Sequence, residues 1–265
     1  MKSAFSWRSF WRGAAGLVFL LALWEIFARS GLFTQALTPP LASIAKVGWR
    51  MLLDGSLAAS AAYTLGRVLA GLALACLIGI PIGMLMGRFR PVEKFCLPLV
   101  SVLMPIPSLA WVPLFILWFG IGEVTTLLVV SYAATFPVVY NVWTGVRAIN
   151  PLWLRSALAM GAGQRQIFRY VVLPGASPYV FTGIRLAFGR AWIAVIGGEM
   201  LANPAAGLGR AIFDAREFLD SEVMLVSLIA IGVVGIAFER LVFQFIEHRT
   251  VARWGMVADA GSGRR

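Results

Sequence analysis

The chain has 265 residues, of which 60% are hydrophobic and only 13% charged, with a formal net charge of +11. Soluble domains average about 45–50% apolar and about 25% charged residues, so this composition excludes an ordinary soluble protein. The basic balance would suit nucleic-acid binding. However, the arginines flank apolar runs, as they do in the cytoplasmic loops of membrane proteins. We therefore predict a protein that contacts membrane lipid and no nucleic acid.

Six apolar runs of spanning length follow one another along the chain. Lengths of about 17–25 residues suit helices that cross about 30 Å of hydrocarbon, and the runs lack the alternation of membrane β-strands. No linker or internal repeat divides them, so we predict an all-α integral membrane protein with one domain over 1–265. The predicted spans are 13–28, 61–86, 96–119, 124–146, 178–202 and 223–245.

The first run follows Lys2, Arg8 and Arg12, which is also typical of a signal peptide. It approaches spanning length, and no small-x-small cleavage site follows at once, so we favour a retained helix over a cleaved one. With the N-terminus placed in the cytoplasm, most lysines and arginines outside the spans fall on inner segments. The positive-inside rule then predicts that both termini are cytoplasmic.

The second run carries Gly79, Gly83 and Gly87 at four-residue spacing. Such a stripe of small residues lets another helix approach closely, so we expect it to serve packing rather than chemistry. Pro81 lies within the stripe and should bend the helix.

The third run contains four prolines, which predict a broken or strongly bent helix because each removes a backbone donor and clashes with the preceding turn. Broken helices recur at substrate sites in transporters, while a bent helix packed wholly against its neighbours is the alternative. The candidate pathway residues here are Pro105, Pro107 and Trp111.

The fifth run places two arginines inside the membrane. Arg185 is close enough to the inner face to extend back to it, whereas Arg190 lies near mid-membrane, where an ionisable group is costly and faces a partner or a cavity. Arg190 either pairs with an acid such as Glu199 or meets an anion that passes through. We include Arg185, Arg190 and Glu199 among the candidate pathway residues.

Residues 147–177 form a basic segment between the fourth and fifth runs. Asn150 and Pro151 are typical of a helix start, and Gly161 and Gly163 permit a sharp bend. A second short helix over 164–172 is predicted to end at Pro174, and residues 177–178 to begin the fifth span. This helix–bend–helix either rests on lipid headgroups, packs beneath the bundle, or docks on a cytoplasmic partner.

Other chemistry has little support in the sequence. Cys76 and Cys96 lack metal-ligand spacing, and His248 is isolated, so we expect no metal site. A membrane enzyme would need clustered carboxylates or a nucleophile with its base. A secondary carrier often shows an internal repeat. The sequence shows neither the groups that an enzyme would need nor such a repeat. The chain also has no G-x-x-x-x-G-K-[ST] phosphate loop, so we predict that it binds no ATP itself.

Residues 155–174 resemble the cytoplasmic EAA loop of ABC-importer permease subunits, whose pattern is E-A-A-x3-G-x9-I-x-L-P. The spacing from Gly161 to Leu173 and Pro174 is met in full, while Arg155 stands where the family has glutamate and Ser156 where it has alanine. PIPSLAWVPLFILWFGIGE at 105–123 and TGIRLAFGRAWIAVIGGEMLA at 182–202 are similar to the nitrate/sulfonate/taurine-type permeases. The LTPP segment at 37–40 resembles their outer LPSP segment.

This resemblance implies a type I importer permease fold in the bacterial inner membrane, with a cytoplasmic coupling helix at 147–177. It implies a homodimer, a cytoplasmic ATPase that uses ATP, and a periplasmic or lipid-anchored binding protein. It implies a small anionic substrate such as a sulfonate, taurine or nitrate, with a non-anionic precursor such as a pyrimidine as the alternative. The implied ATPase-coupling residues are Arg155, Ser156, Ala157, Gly161, Ala162, Gly163, Gln164, Gln166, Val171, Leu173 and Pro174.

Overall fold

The computed structural model describes residues 7–31, 34 and 36–243, and every regular element within them is helical. The α-helices are α1 (Trp7–Arg29), α2 (Leu41–Leu53), α3 (Ser56–Arg88), α4 (Arg90–Leu103), α5 (Val112–Phe119), α6 (Glu123–Arg147), α7 (Pro151–Ala159), α8 (Gln164–Ile167), α9 (Leu173–Ala202), α10 (Leu208–Glu217) and α11 (Ser221–Phe238). A 3₁₀ turn (Ser108–Trp111) precedes α5, and π-helical turns follow α8 (Phe168–Val172) and α11 (Glu239–Phe243).

Four helical stretches in the described residues are long and apolar enough to cross a membrane: Ser56–Arg88, Glu123–Arg147, Gln164–Ala202 and Ser221–Leu241. They contain the second, fourth and fifth predicted spans and most of the sixth, whose residues 244–245 lie outside the described part. Arg90–Leu103 and Ser108–Phe119 make a fifth span if the pair is counted as one. This pair contains the third predicted span, 96–119. The first predicted span falls on α1, and its crossing of the membrane stays a prediction.

The third predicted span is broken, as its prolines predict. Its two halves are bent by 89° at the break between Leu103 and Ser108, which contains Pro105 and Pro107. The hydroxyl of Tyr132 on α6 donates to the carbonyl oxygen of Leu103 at 2.7 Å, so one backbone acceptor exposed by the break is satisfied.

The prediction that Pro174 ends a helix and that residues 177–178 begin the fifth span is wrong. The helix runs without interruption from Gln164 to Ala202, so half of the predicted 147–177 segment belongs to the fifth span. The π turn before Pro174 widens the helix, with the Leu173 N–H bonded to the Phe168 carbonyl five residues back. Further on, the Ser177 hydroxyl donates at 2.8 Å to the Pro174 carbonyl, the acceptor that Pro178 leaves without a backbone donor.

The core forms where α6 packs between α3 and α9. The glycine stripe of α3 faces valines of α6, as predicted: a Cβ added at Gly83 would lie 2.7 Å from the Val142 Cβ and 2.8 Å from the Val139 carbonyl oxygen. Only glycine permits this approach. The helix α3 continues through Pro81, which lies within it.

Two shorter helices cover the end of the bundle at which α3 and α11 begin. They are α2 and α10, which lie between predicted spans, and α2 was not predicted from the sequence. The LTPP segment and the start of α2 are hydrogen-bonded to α1. Trp24 donates to the Pro39 carbonyl at 3.1 Å, and the Glu25 carboxylate accepts from the Leu41 N–H at 2.8 Å. We call this end the outer end, after the orientation that the positive-inside rule predicts, and the end that holds Arg88, Arg147 and α7 the basic end.

Candidate functional site

The turn between α7 and α8 is a compact hairpin at the basic end. The Asn150 side chain accepts from the Leu152 N–H at 2.9 Å, which confirms the predicted N-cap. At the other end of α7, Gly161 adopts a φ of +79°, and the Ala162 N–H bonds to the Ala157 carbonyl at 3.0 Å. This is the Schellman arrangement, which favours glycine at that position. Gly163 has an ordinary φ of −71°, so the bend depends on Gly161.

The hairpin is fastened to the bundle by a few buried apolar side chains. Ala157, Ile167 and Val172 are buried in the same core cluster as residues of α6 and α9. At the start of α8, the Gly163 N–H bonds to the Gln166 side chain at 2.8 Å, and Arg88 at the end of α3 donates to the Gln164 side chain. The hairpin is therefore held to both α3 and α9.

The opposite face of the hairpin is exposed and partly apolar. Trp153 is 55% exposed and Met160, at the tip, is 81% exposed. Arg155 and Ser156 are also exposed, whereas Ala157 points into the core. An anchored hairpin with an exposed face of this kind can contact a partner and transmit a displacement to α9.

The predicted coupling residues lie in the hairpin and in the two helical turns that follow it. Arg155, Ser156 and Ala157 lie on α7, Gly161, Ala162 and Gly163 in the turn, Gln164 and Gln166 on α8, Val171 in the π turn, and Leu173 and Pro174 at the start of α9.

A second candidate site is a cavity of about 300 Å³ beside the broken span. Its wall includes Pro105, Pro107 and Ser108 of the break, Tyr132 of α6 and Arg190 of α9. The side chain of Arg190 is exposed and forms no ion pair with any carboxylate among the described residues. The cavity therefore offers a cation next to irregular backbone at the middle of a spanning helix.

The other predicted pathway residues lie elsewhere. Trp111 packs behind the cavity wall, with its ring 5.4 Å from that of Tyr132 and 5.9 Å from that of Phe115. Arg185 forms an ion pair with Glu239 at 3.0 Å, which joins α9 to the π turn after α11.

Glu199 does not pair with Arg190, the first of the two alternatives for that arginine. It is fully buried at the outer end and accepts from Arg67 Nη1 at 2.6 Å, from the Thr64 hydroxyl at 2.9 Å and from the Gly209 N–H at 2.8 Å. Arg67 also binds Glu123 at 2.5 Å and the Ala206 carbonyl at 2.5 Å. We call Thr64, Arg67, Glu123 and Glu199 the outer charge cluster.

Sequence reasoning missed this cluster. The available signal was two ionisable residues, Arg67 and Glu199, inside apolar runs, since intramembrane charges pair with one another. The partners are 132 residues apart in sequence, so the pairing required knowledge that α3 and α9 are neighbours. The cluster joins α3, α6, α9 and the segment before α10 through side-chain and backbone hydrogen bonds.

Comparison with known proteins agrees with this architecture. Residues 79–250 match the family described as "Binding-protein-dependent transport system inner membrane component". The taurine transport system permease protein TauC of Escherichia coli is 32% identical over 84% of this chain and 82% of its own length. The bicarbonate transport system permease protein CmpB of Synechococcus elongatus is 32% identical over 86% of this chain and 85% of its own.

Among solved structures, an inward-facing form of the MetNI methionine ABC transporter aligns with a TM-score of 0.62 and 21% identity. The alignment covers 76% of this chain and 97% of that one, and it supports the fold alone. From the family match and these relatives, the chain belongs to the inner-membrane components of binding-protein-dependent transport systems, the permeases of ABC importers.

Proposed function

We propose that this chain forms the membrane pathway of an ATP-driven importer for a small anion, and that the α7–α8 hairpin receives the force from a separate ATPase. The observation that carries the proposal is the hairpin itself. It is anchored in the core by Ala157 and Ile167, held to α3 through Gln164, and continuous with the spanning helix α9.

Because Gln164–Ala202 is one continuous helix, it can couple movement of the hairpin to movement of the spanning segment. A partner that moves α8 moves α9 with it, because no loop separates the two. Arg190 lies on α9 and reaches the cavity beside the broken span, so a shift of α9 repositions the cavity wall. This is domain rotation driven from one end of a rigid element.

In this proposal a binding protein delivers the solute at the outer end. The acids of α10 and α11, Asp214 and Glu222 among them, lie at this end, and the arginines of the hairpin lie at the other. By the positive-inside rule, the basic end faces the cytoplasm and the ATPase, with both termini on that side. A homodimer would place two copies of the cavity around one pathway.

An anionic substrate is supported by Arg190. A guanidinium binds sulfonate or carboxylate oxygens through planar, paired donors, and Arg190 has no carboxylate partner among the described residues. Relatives named for taurine and bicarbonate carry substrates with such oxygens. A non-anionic precursor such as a pyrimidine would have no use for this cation.

The test is uptake by proteoliposomes that contain the chain, its ATPase and its binding protein. We expect labelled taurine, bicarbonate or nitrate to enter only when ATP is hydrolysed, and Arg190→Gln to reduce uptake at least tenfold while Arg190→Lys retains more of it. Uptake driven by an ion gradient without ATP would refute the importer. Unchanged uptake by a correctly assembled Arg190→Gln variant would refute the anion contact.

Docking of the hairpin has its own test. In a background with Cys76 and Cys96 replaced, single cysteines at Gly163 and Gln166 should crosslink to the ATPase in the assembled complex. A cysteine at Trp49 on α2, which is exposed at the outer end, is the matched control and should not crosslink. Absence of crosslinks at both hairpin positions would count against docking there.

A further inference from the structure

A groove of about 800 Å³ opens at the basic end between the last turns of α3 and the beginning of the Gln164–Ala202 helix. Apolar side chains form most of its wall, and the two cations that line it, Arg88 and Arg165, are exposed. The apolar wall residues include Ile80, Pro81, Met84, Leu85, Phe89 and Phe168.

The groove has the depth of one membrane leaflet. At 1.5 Å per residue, Ile80 and Arg88 on α3 are separated by about 12 Å along the helix axis. The hydrocarbon of one leaflet is about 15 Å thick, half of the usual core. With Arg88 at the interface, the apolar part of the groove therefore lies at the depth of acyl chains.

We propose that this groove is a binding site for an anionic phospholipid of the cytoplasmic leaflet. Its phosphate binds Arg88 and Arg165, and an acyl chain lies against Met84, Leu85 and Phe168. The division into a cationic end and an apolar wall matches a lipid with a charged headgroup. Basic pockets between spanning helices on the cytoplasmic side bind such headgroups.

Arg88 can bind a phosphate without releasing the hairpin. Its guanidinium has five N–H donors, and the bond from Nη2 to the Gln164 side chain uses one of them. The lipid would therefore sit at the joint between α3 and α8, where its occupancy stabilises the position of the hairpin. The lipid site does not involve the transported solute. Failure of the lipid test would therefore leave the proposed anion pathway unaffected.

Neither a soluble partner nor a bare anion fits the groove as well. The wall at Ile80 lies at hydrocarbon depth on a spanning helix, where a cytoplasmic protein does not reach. A free phosphate would leave the apolar wall without a contact. A second copy of the chain seated here is an outcome that the test below would reveal.

The experiment is native mass spectrometry of the full-length chain in a neutral detergent, titrated with phosphatidylglycerol or phosphatidylcholine. We expect one tightly bound phosphatidylglycerol and no comparable phosphatidylcholine. The double variant Arg88→Gln/Arg165→Gln should bind phosphatidylglycerol about thirtyfold more weakly, because each basic residue near an anionic lipid surface contributes about a factor of five. The control Arg90→Gln, an exposed arginine next to the groove that does not line it, should bind normally.

A second variant keeps the arginines and fills the apolar wall. Leu85→Trp should lose the bound phosphatidylglycerol although both cations remain, and an excess of inorganic phosphate should not displace the lipid from the wild type. Equal binding of the two lipids, undiminished binding by either variant, displacement by phosphate alone, or a dimer that occludes the groove would each overturn the proposal.

Discussion

Replacing Arg67 by methionine tests whether the outer charge cluster holds the outer end together. Glu199 is fully buried, and Arg67 supplies its countercharge at 2.6 Å. In the Arg67→Met variant the Glu199 carboxylate keeps the Thr64 hydroxyl and the Gly209 N–H, but it has no cation. Removal of one partner from a buried pair costs about 3–5 kcal/mol, because it leaves an uncompensated charge.

That cost is measurable as a shift in thermal unfolding of the detergent-solubilised protein. One kcal/mol corresponds to about 2–4 °C for a domain of about 150–250 residues, so we expect Arg67→Met to lower the apparent Tm by about 10 °C. The double variant Arg67→Met/Glu199→Gln should recover part of the loss, because the uncompensated charge is then absent.

The matched control is Arg210→Gln, which breaks the Arg210–Asp214 pair at the same end. Both of its side chains are partly exposed, at 26% and 40%, and exposed pairs contribute about 0–1 kcal/mol. Equal Tm shifts in Arg67→Met and Arg210→Gln, or no rescue of Arg67→Met by Glu199→Gln, would show that the cluster does not hold the outer end together.

Three further substitutions, two of them paired with a control substitution, test packing and the hairpin. Gly83→Leu should destabilise the bundle by about 1–3 kcal/mol through overpacking against α6, whereas Gly66→Leu on the same helix faces open space and should be tolerated in the same unfolding assay. Asn150→Ala should lose about 1 kcal/mol of N-capping, seen as faster amide hydrogen exchange confined to α7. Gly161→Ala should destabilise the turn by about 1–2 kcal/mol, because alanine is strained at positive φ, and Gly163→Ala should be nearly neutral. Amide hydrogen exchange in the turn is the measurement for both. Equal exchange rates in these two variants would contradict the assigned turn.

Local rules in the sequence predicted several elements correctly. The cap at Asn150, the bend at Gly161, the break at Pro105 and Pro107, and the packing face at Gly83 each depend on residues within a few positions of one another. The hairpin residues are also contiguous in sequence, so a single motif brought them together.

The same rules failed where a neighbouring turn or helix decided the outcome. Pro174 does not end its helix, because the π turn before it accommodates the proline, and the Ser177 hydroxyl replaces the donor that Pro178 lacks. The helix α2 was not predicted, because its 13 residues are too few to form an apolar run of spanning length.

The sequence by itself determined the membrane class, the positions of most spanning helices and the family. The length of an apolar run, the charges that flank it and the spacing of a motif depend only on the order of residues along the chain. Only the tertiary structure decided which charges meet. Glu199 binds Arg67 and not Arg190, since α3 lies against α9 at the outer end, and this leaves Arg190 on the cavity without a carboxylate partner among the described residues. Such pairings depend on distances between helices, which a periodic pattern on each helix does not encode.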